Sequence, residues 1–208
     1  MGIFQYGFER RGLLTTNFAE CGGYLYTDFS EPSPDVQLQF MRGLVSEHGQ
    51  KVRWGRGIAC KVRVLRPESR GRVSLRSAKW TDPPTVDTAF FSNNDDLHRL
   101  LAAAKLAQRL LLNPAFDSVR GKPLYASAGD DAELLGDIRQ RTNCSNHAVG
   151  TCKMGVDPMA VVDPQLRVYG IDRLRIVDAS VMPTVVSSGT FAATIMIAEK
   201  AADMILSR

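Results

Sequence analysis

The run from Asn146 to Ala202 leaves few folds open to this chain. It reads NHAVGTCKMG, then VVDPQLRVYGIDRLRIVDASVMP, then SSGTFAATIMIAEKAA. One of only three histidines, His147, stands at its head among small residues, Gly150, Thr151 and Gly155. Such residues let backbone approach a ligand closely. Further on, the apolar word Leu174-Arg175-Ile176-Val177 predicts a strand, ended by Asp178-Ala179-Ser180. After Met182-Pro183, a Ser/Gly/Thr turn opens into a long Ala- and Ile-rich helix. A polar group at a strand end, followed by a helix N-terminus, is how α/β proteins hold phosphorylated cofactors.

These words resemble, in order and spacing, the C-terminal signature of the glucose–methanol–choline (GMC) family of FAD-dependent oxidoreductases. That signature reads roughly H-P-V-G-T-C-(K/R)-M-G, then V-V-D-x-x-L-R-V-x-G-(V/I)-x-x-L-R-(V/I)-V-D-A-S-(V/I)-M-P, then S-G-N-T-N-A-P-(T/A)-I-M-I-A-E-K. Two weaker correspondences extend it: the G-x-L-x-x-N-x-x-E word at Gly12 to Glu20, and L-R-P-x-S-R-G-x-V-x-L at Leu65 to Leu75. The resemblance implies an enzyme that oxidises an alcohol with FAD as hydride acceptor, of which this chain is the C-terminal portion. The G-x-G-x-x-G unit that seats the FAD pyrophosphate in such a family has only a poor echo at Gly55 to Cys60, where Cys60 replaces the third glycine.

By the same resemblance His147 lies over the flavin and takes the alcohol proton, and Asp178 and Ala179 face the cofactor. Read from the residues alone, a lone histidine is more often structural, and Asp178 is better read as a helix or turn cap. Ala148 replaces the family's proline after the histidine. The turn Gly189-Thr190-Phe191 also faces the cofactor by resemblance, but departs from the pattern. Counted back from Ile195-Met196-Ile197-Ala198-Glu199, Gly189 occupies the place of the family's second active-site residue, an Asn or His. Glycine offers no side chain there, so either Asn146 or Thr190 substitutes or the chemistry is slower or different. Cys144-x-x-His147-x-x-x-x-Cys152 resembles a zinc knuckle but lacks a fourth ligand nearby, so no metal is expected.

Composition narrows the classes. With 44% hydrophobic and 23% charged residues, the chain is an ordinary globular one. Residues 51–80 hold ten Lys/Arg against the single acid Glu68, which could mark a nucleic-acid surface. The basic residues alternate with apolar ones, however, so a solvated strand face is the expectation and nucleic acid is not an expected partner. Four cysteines in 208 residues do not suggest a disulfide framework and point to a reducing, cytoplasmic setting. No basic-then-apolar leader follows Met1, and the stretch from Val181 to Ala198 is too interrupted to span a membrane.

Alternation predicts strands at Val36 to Phe40, Ile58 to Leu65 and Gly71 to Arg76, the last two as an antiparallel pair. Capping and periodicity predict a helix from Ser92 to Asn113 and a second from Asp131 to Arg141. The stretch Arg11 to Glu20 reads as loop. The expected fold is α+β, an antiparallel sheet flanked by helices, with a C-terminal strand and helix belonging to an FAD-binding α/β layer. On this reading 1–160 is a substrate-binding portion that includes the His147 loop, and 161–208 is a segment of the FAD-binding domain. Expected partners are a small-molecule alcohol and an N-terminal FAD-binding half supplied in trans. Two rivals stand beside it: a catalytically silent fragment that completes such a half, and a nucleic-acid module using the basic block.

Overall fold

Val36 and Leu38 are fully buried while their neighbours Gln37 and Gln39 are half-buried, so the alternation in the sequence translates into a two-faced strand. A computed structural model describes residues 2–12, 15–17, 19–42, 57–118, 120–124 and 130–207. Two compact units divide them. One comprises Met1–Val64 and Asn94–Asn143, the other Leu65–Asn93 and Cys144–Arg208. The segments 144–160 and 161–208 therefore fall in the same unit.

In the first unit, after the short helix α1 (Gly2–Glu9), strands β1 (Cys21–Leu25), β2 (Val36–Arg42) and β3 (Ile58–Val64) form an antiparallel sheet in the order β1-β2-β3. Leu25 pairs with Val36, and Val36 with Val64, which sets one face of three aliphatic residues in register. Helix α2 (Asn94–Leu111) packs against β2, β3 and α3 (Asp131–Arg141). It begins with Asp95 and Asp96, which suit the positive end of the helix dipole. Its buried stripe is Leu97, Leu100, Ala103 and Ala107. These four recur at the three- and four-residue spacing of one helix face. Asp130 caps α3 by accepting from the Ala132 N–H. The loop between β1 and β2 is closed by the fully buried Asp35, whose carboxylate accepts from the N–H of Thr27 at 2.7 Å and from its hydroxyl.

The second unit holds the antiparallel hairpin β4 (Arg72–Ser74) and β5 (Thr85–Asp87) and the long helix α4 (Thr190–Leu206). Two expectations are corrected here. β3 pairs with β2 and β4 with β5, so the predicted β3–β4 pair does not form. The word Arg66 to Gly71 joins two sheets, and Gly71 is needed where it is because an added Cβ would lie 2.1 Å from the Asp87 carbonyl oxygen. Nor does Leu174 to Val177 form a strand. It makes only an isolated antiparallel bridge, Arg167 to Arg175, with the Ile176 N–H donating to the Leu166 carbonyl at 3.1 Å. An extended apolar word becomes a strand only where a neighbouring edge runs beside it, and the described residues supply only this short turnback. The α+β expectation holds as small antiparallel sheets with helices.

The core of this unit joins α4 to the irregular segment before it. Val162, Leu166, Val181, Met182, Ile197 and Ala201 form its buried cluster. Asp163 organises the turn that carries Leu166 inward at a positive φ of 63°. Its carboxylate accepts from the N–H groups of Gln165 and Arg167, each at 2.9 Å, and from the Arg167 guanidinium at 2.7 Å. Burial pushes its pKa up, but these donors outweigh it and hold the carboxyl below the ordinary value of 3.8. A depressed pKa contributes stability that is present above the ordinary value and lost as pH falls through the folded one. Asp163→Asn is therefore expected to lower the thermal midpoint at neutral pH and to flatten its fall below pH 3.8. Thermal melts of both chains across that range check this.

Of the basic block, Lys51, Arg53 and Arg56 lie outside the described residues, as does most of the Gly55 to Cys60 echo's opening turn. Arg70 donates to the carbonyls of Pro67 and Ser69, while Arg72, Arg76 and Lys79 are exposed. Among the described residues, no helix is long and apolar enough to cross a membrane.

Candidate active site

The loop before the core segment turns sharply at Ser145 and Asn146, both with positive φ, 49° and 59°. Left-handed backbone is costly for side chains other than glycine, with asparagine among the more tolerant. The His147 N–H closes this turn on the Cys144 carbonyl at 3.2 Å. Gly150 follows at φ +91°, a conformation that requires glycine, and the chain then pairs with the segment after Asp178. The Cys152 N–H donates to the Ser180 carbonyl at 3.0 Å and the Met154 N–H to the Val181 carbonyl at 2.8 Å. Val149 and Met154 pack on the same core as α4, which fixes both ends of the loop to that helix's surroundings.

This places the His147 ring against the start of α4. Its Nδ1 lies 2.8 Å from the Thr190 hydroxyl and accepts from the Thr190 backbone N–H at 3.3 Å. Gly189 lies along the Cε1–Nε2 edge: a Cβ built on it would stand 3.6 Å from Cε1 and 3.9 Å from Nε2. These are ordinary contacts, so the vacancy left by glycine borders the nitrogen that Thr190 does not hold. Of the two neighbours considered as substitutes for the missing side chain, Thr190 touches the ring, yet at Nδ1. It does not take the place of a group beside Nε2.

The remaining predicted site residues separate into two kinds. Asp178 caps a single turn of 3-10 helix, Ala179–Val181, its Oδ1 accepting from the Ser180 N–H at 2.7 Å; the residue is exposed. Ala179 is half-buried against the α4 core. Phe191 is 76% exposed and continues along α4 into Ile195 and Met196, also exposed. Gly189, as N-cap of α4, provides no side-chain hydrogen bond to the helix start. The first N–H of α4, that of Thr190, goes to His147 Nδ1 in place of an N-cap side chain. Among the described residues, no group of three or more His, Cys, Asp or Glu side chains could hold a metal ion.

One contact escaped sequence reasoning. Arg66, read as part of the basic block, donates from Nη1 to the Ser187 hydroxyl at 3.2 Å, tying the Leu65–Asn93 segment to the turn before α4. The signal available was the L-R-P-x-S-R-G word, whose arginine had no evident strand partner.

A family model described as GMC oxidoreductase matches residues 67–198. An alcohol dehydrogenase [acceptor] of Pseudomonas putida is 38% identical over 208 residues, 99% of this chain and 38% of the relative. An oxygen-dependent choline dehydrogenase of Burkholderia cenocepacia (strain HI2424) is 37% identical over 199 residues, covering 95% of this chain and 35% of the relative. Among solved structures, pyridoxine 4-oxidase from Mesorbium loti superposes with a TM-score of 0.82 at 27% identity, over 92% of this chain and 38% of that one. The chain thus spans little more than a third of the length of the relatives it matches.

Proposed function

The chain belongs to the GMC oxidoreductase family, and on that premise we propose that it furnishes the substrate-side part of an FAD-dependent oxidation of a CH–OH group in a small alcohol. The observation that carries the reading is the His147 ring held at the α4 N-terminus with its Nε2 edge against the open side of Gly189. Imidazole titrates near neutral pH, which suits a group that must both take and release a proton. In this reading His147 is the base, receiving the hydroxyl proton when its Nε2 is unprotonated. When bound, FAD supplies the acceptor for the hydride that leaves the carbinol carbon.

The residues present fit one side of such a cofactor. The α4 first turn, uncapped by Gly189, offers N–H donors to the flavin's electron-rich edge, and exposed Phe191 offers apolar surface beside it. Ala179, in the turn after Asp178, would offer backbone, and Asp178 retains an exposed carboxylate oxygen beyond the one that caps the turn. Nothing among the described residues matches the glycine-rich pyrophosphate seat. The reading assigns 1–160 to a substrate-binding portion and 161–208 to a segment of an FAD-binding domain. A cytoplasmic setting belongs to the same proposal, since all four cysteines are free thiols.

A second reading has its own observation. Ile195, Met196, Ile205 and Leu206 are exposed along α4, which favours a chain that completes an N-terminal FAD-binding half, with or without turnover of its own. Incubation with FAD followed by desalting tests the first reading, alone and after mixing with the N-terminal half of a GMC relative. A retained flavin band that bleaches on adding an alcohol is the expected result. A colourless chain in both mixtures, or a band that no alcohol bleaches, sinks it.

A further inference from the structure

The Thr190 side chain is buried, only 7% of the residue being accessible, and its hydroxyl oxygen has one hydrogen-bond partner among the described residues, His147 Nδ1 at 2.8 Å. A buried O–H that donates to nothing is costly, so this hydroxyl donates to Nδ1. The Thr190 backbone N–H points at the same nitrogen from 3.3 Å, and an N–H can only donate. Two donors from one residue therefore meet at one ring nitrogen. A neutral imidazole carries a single proton, and a nitrogen that accepts does not carry it.

From this clasp we infer that Thr190 is a positioning residue that fixes neutral His147 in the tautomer with its proton on Nε2. The ring then rests with a hydrogen-bond donor, not a lone pair, along the Gly189 edge. To take a proton at Nε2, the ring must first hold its own proton on Nδ1 instead, and the Thr190 hydroxyl must turn from donor to acceptor. The hydroxyl can make that turn; the backbone N–H cannot, and its 3.3 Å approach opposes the change. Thr190 thereby governs which of two forms, donor or base, His147 offers along the Gly189 edge. The inference uses the proposed function only for what the ring does; the tautomer itself is a property of the chain without cofactor.

The test is a nitrogen NMR spectrum of the 15N-histidine-labelled 208-residue chain, at about two pH units above the ordinary histidine pKa of ~6.5 so that the ring is neutral. His147 is assigned by the signal lost in His147→Ala. The expected result is an Nε2–H pattern in the wild type and in Thr190→Ser, which keeps the hydroxyl. Thr190→Val, which removes the closer donor and keeps the backbone N–H, should shift the pattern measurably toward a mixture of both tautomers without reversing it. A wild-type ring protonated mainly on Nδ1, or evenly on both nitrogens, overturns the inference. So does a folded Thr190→Val whose pattern matches the wild type. Should the valine chain not fold, Thr190→Ala takes its place under the same criteria. Because no flavin is present, this outcome is independent of whether the chain holds FAD.

Discussion

Replacing His147 with alanine is expected to lower kcat/KM for alcohol oxidation by about 10²–10⁴-fold in the chain assembled with an FAD-binding half. The size follows from what the ring alone can do at this site. It is half-buried at the start of α4, and the residue beside its Nε2 edge is a glycine. Position 189, a glycine, supplies no side chain to share the proton transfer. The loop itself should survive the change, because its anchors are backbone bonds from Cys152 and Met154 and the packing of Val149. Steady-state rates together with flavin retention check this. An unchanged rate with flavin retained would remove His147 from the chemistry.

Gly189→Asn is expected to act in the opposite direction and raise kcat/KM by about 10–10²-fold, the scale of one oriented donor at a reacting oxygen. The backbone at 189 is extended, φ −64° and ψ 141°, which any residue adopts, and the first added atom would meet His147 only at ordinary contact distance. An asparagine there has two possible uses. It can face the substrate oxygen beside Nε2, or turn its oxygen back to cap α4, as asparagine does well. Turnover and thermal midpoint together separate them. A higher midpoint with unchanged turnover means that the side chain serves the helix, and the idea of a missing catalytic partner fails.

How far the sequence reached can be judged from particular elements. Helix α3 was readable to its ends because Asp130 caps it and the apolar period is regular. β2 and β3 announced themselves by alternation, but partner choice did not, since alternation fixes a face and says nothing of which edge lies alongside. β1, Cys-Gly-Gly-Tyr-Leu, carries two glycines and no alternation, and it exists through its pairing with β2. Leu174 to Val177 had strand-like composition without a neighbour to make it one. At the site, only resemblance could connect His147 with residues 189–191, which lie more than forty positions on. That Thr190 would hold Nδ1 was beyond it, because a hydrogen bond between loop and helix depends on how both are packed. Asp178 took the bland reading available for any aspartate before a turn and became a cap.

The two compact units are each assembled from two separated stretches, with the chain passing between them after Val64, Asn93 and Asn143. No single cleavage releases either one whole. A nascent chain leaving the ribosome cannot finish the first unit until Asn94–Asn143 has emerged, and must by then have already laid down Leu65–Asn93 with its remaining partners still unmade. That hairpin segment waits longest of the four stretches, since α4, whose Ile197 and Ala201 help close the second unit's core, is synthesised only after Asn143. Stop codons within α4 should thus harm more than the helical residues they delete, leaving a stretch that begins at Leu65 without the core its unit is built around.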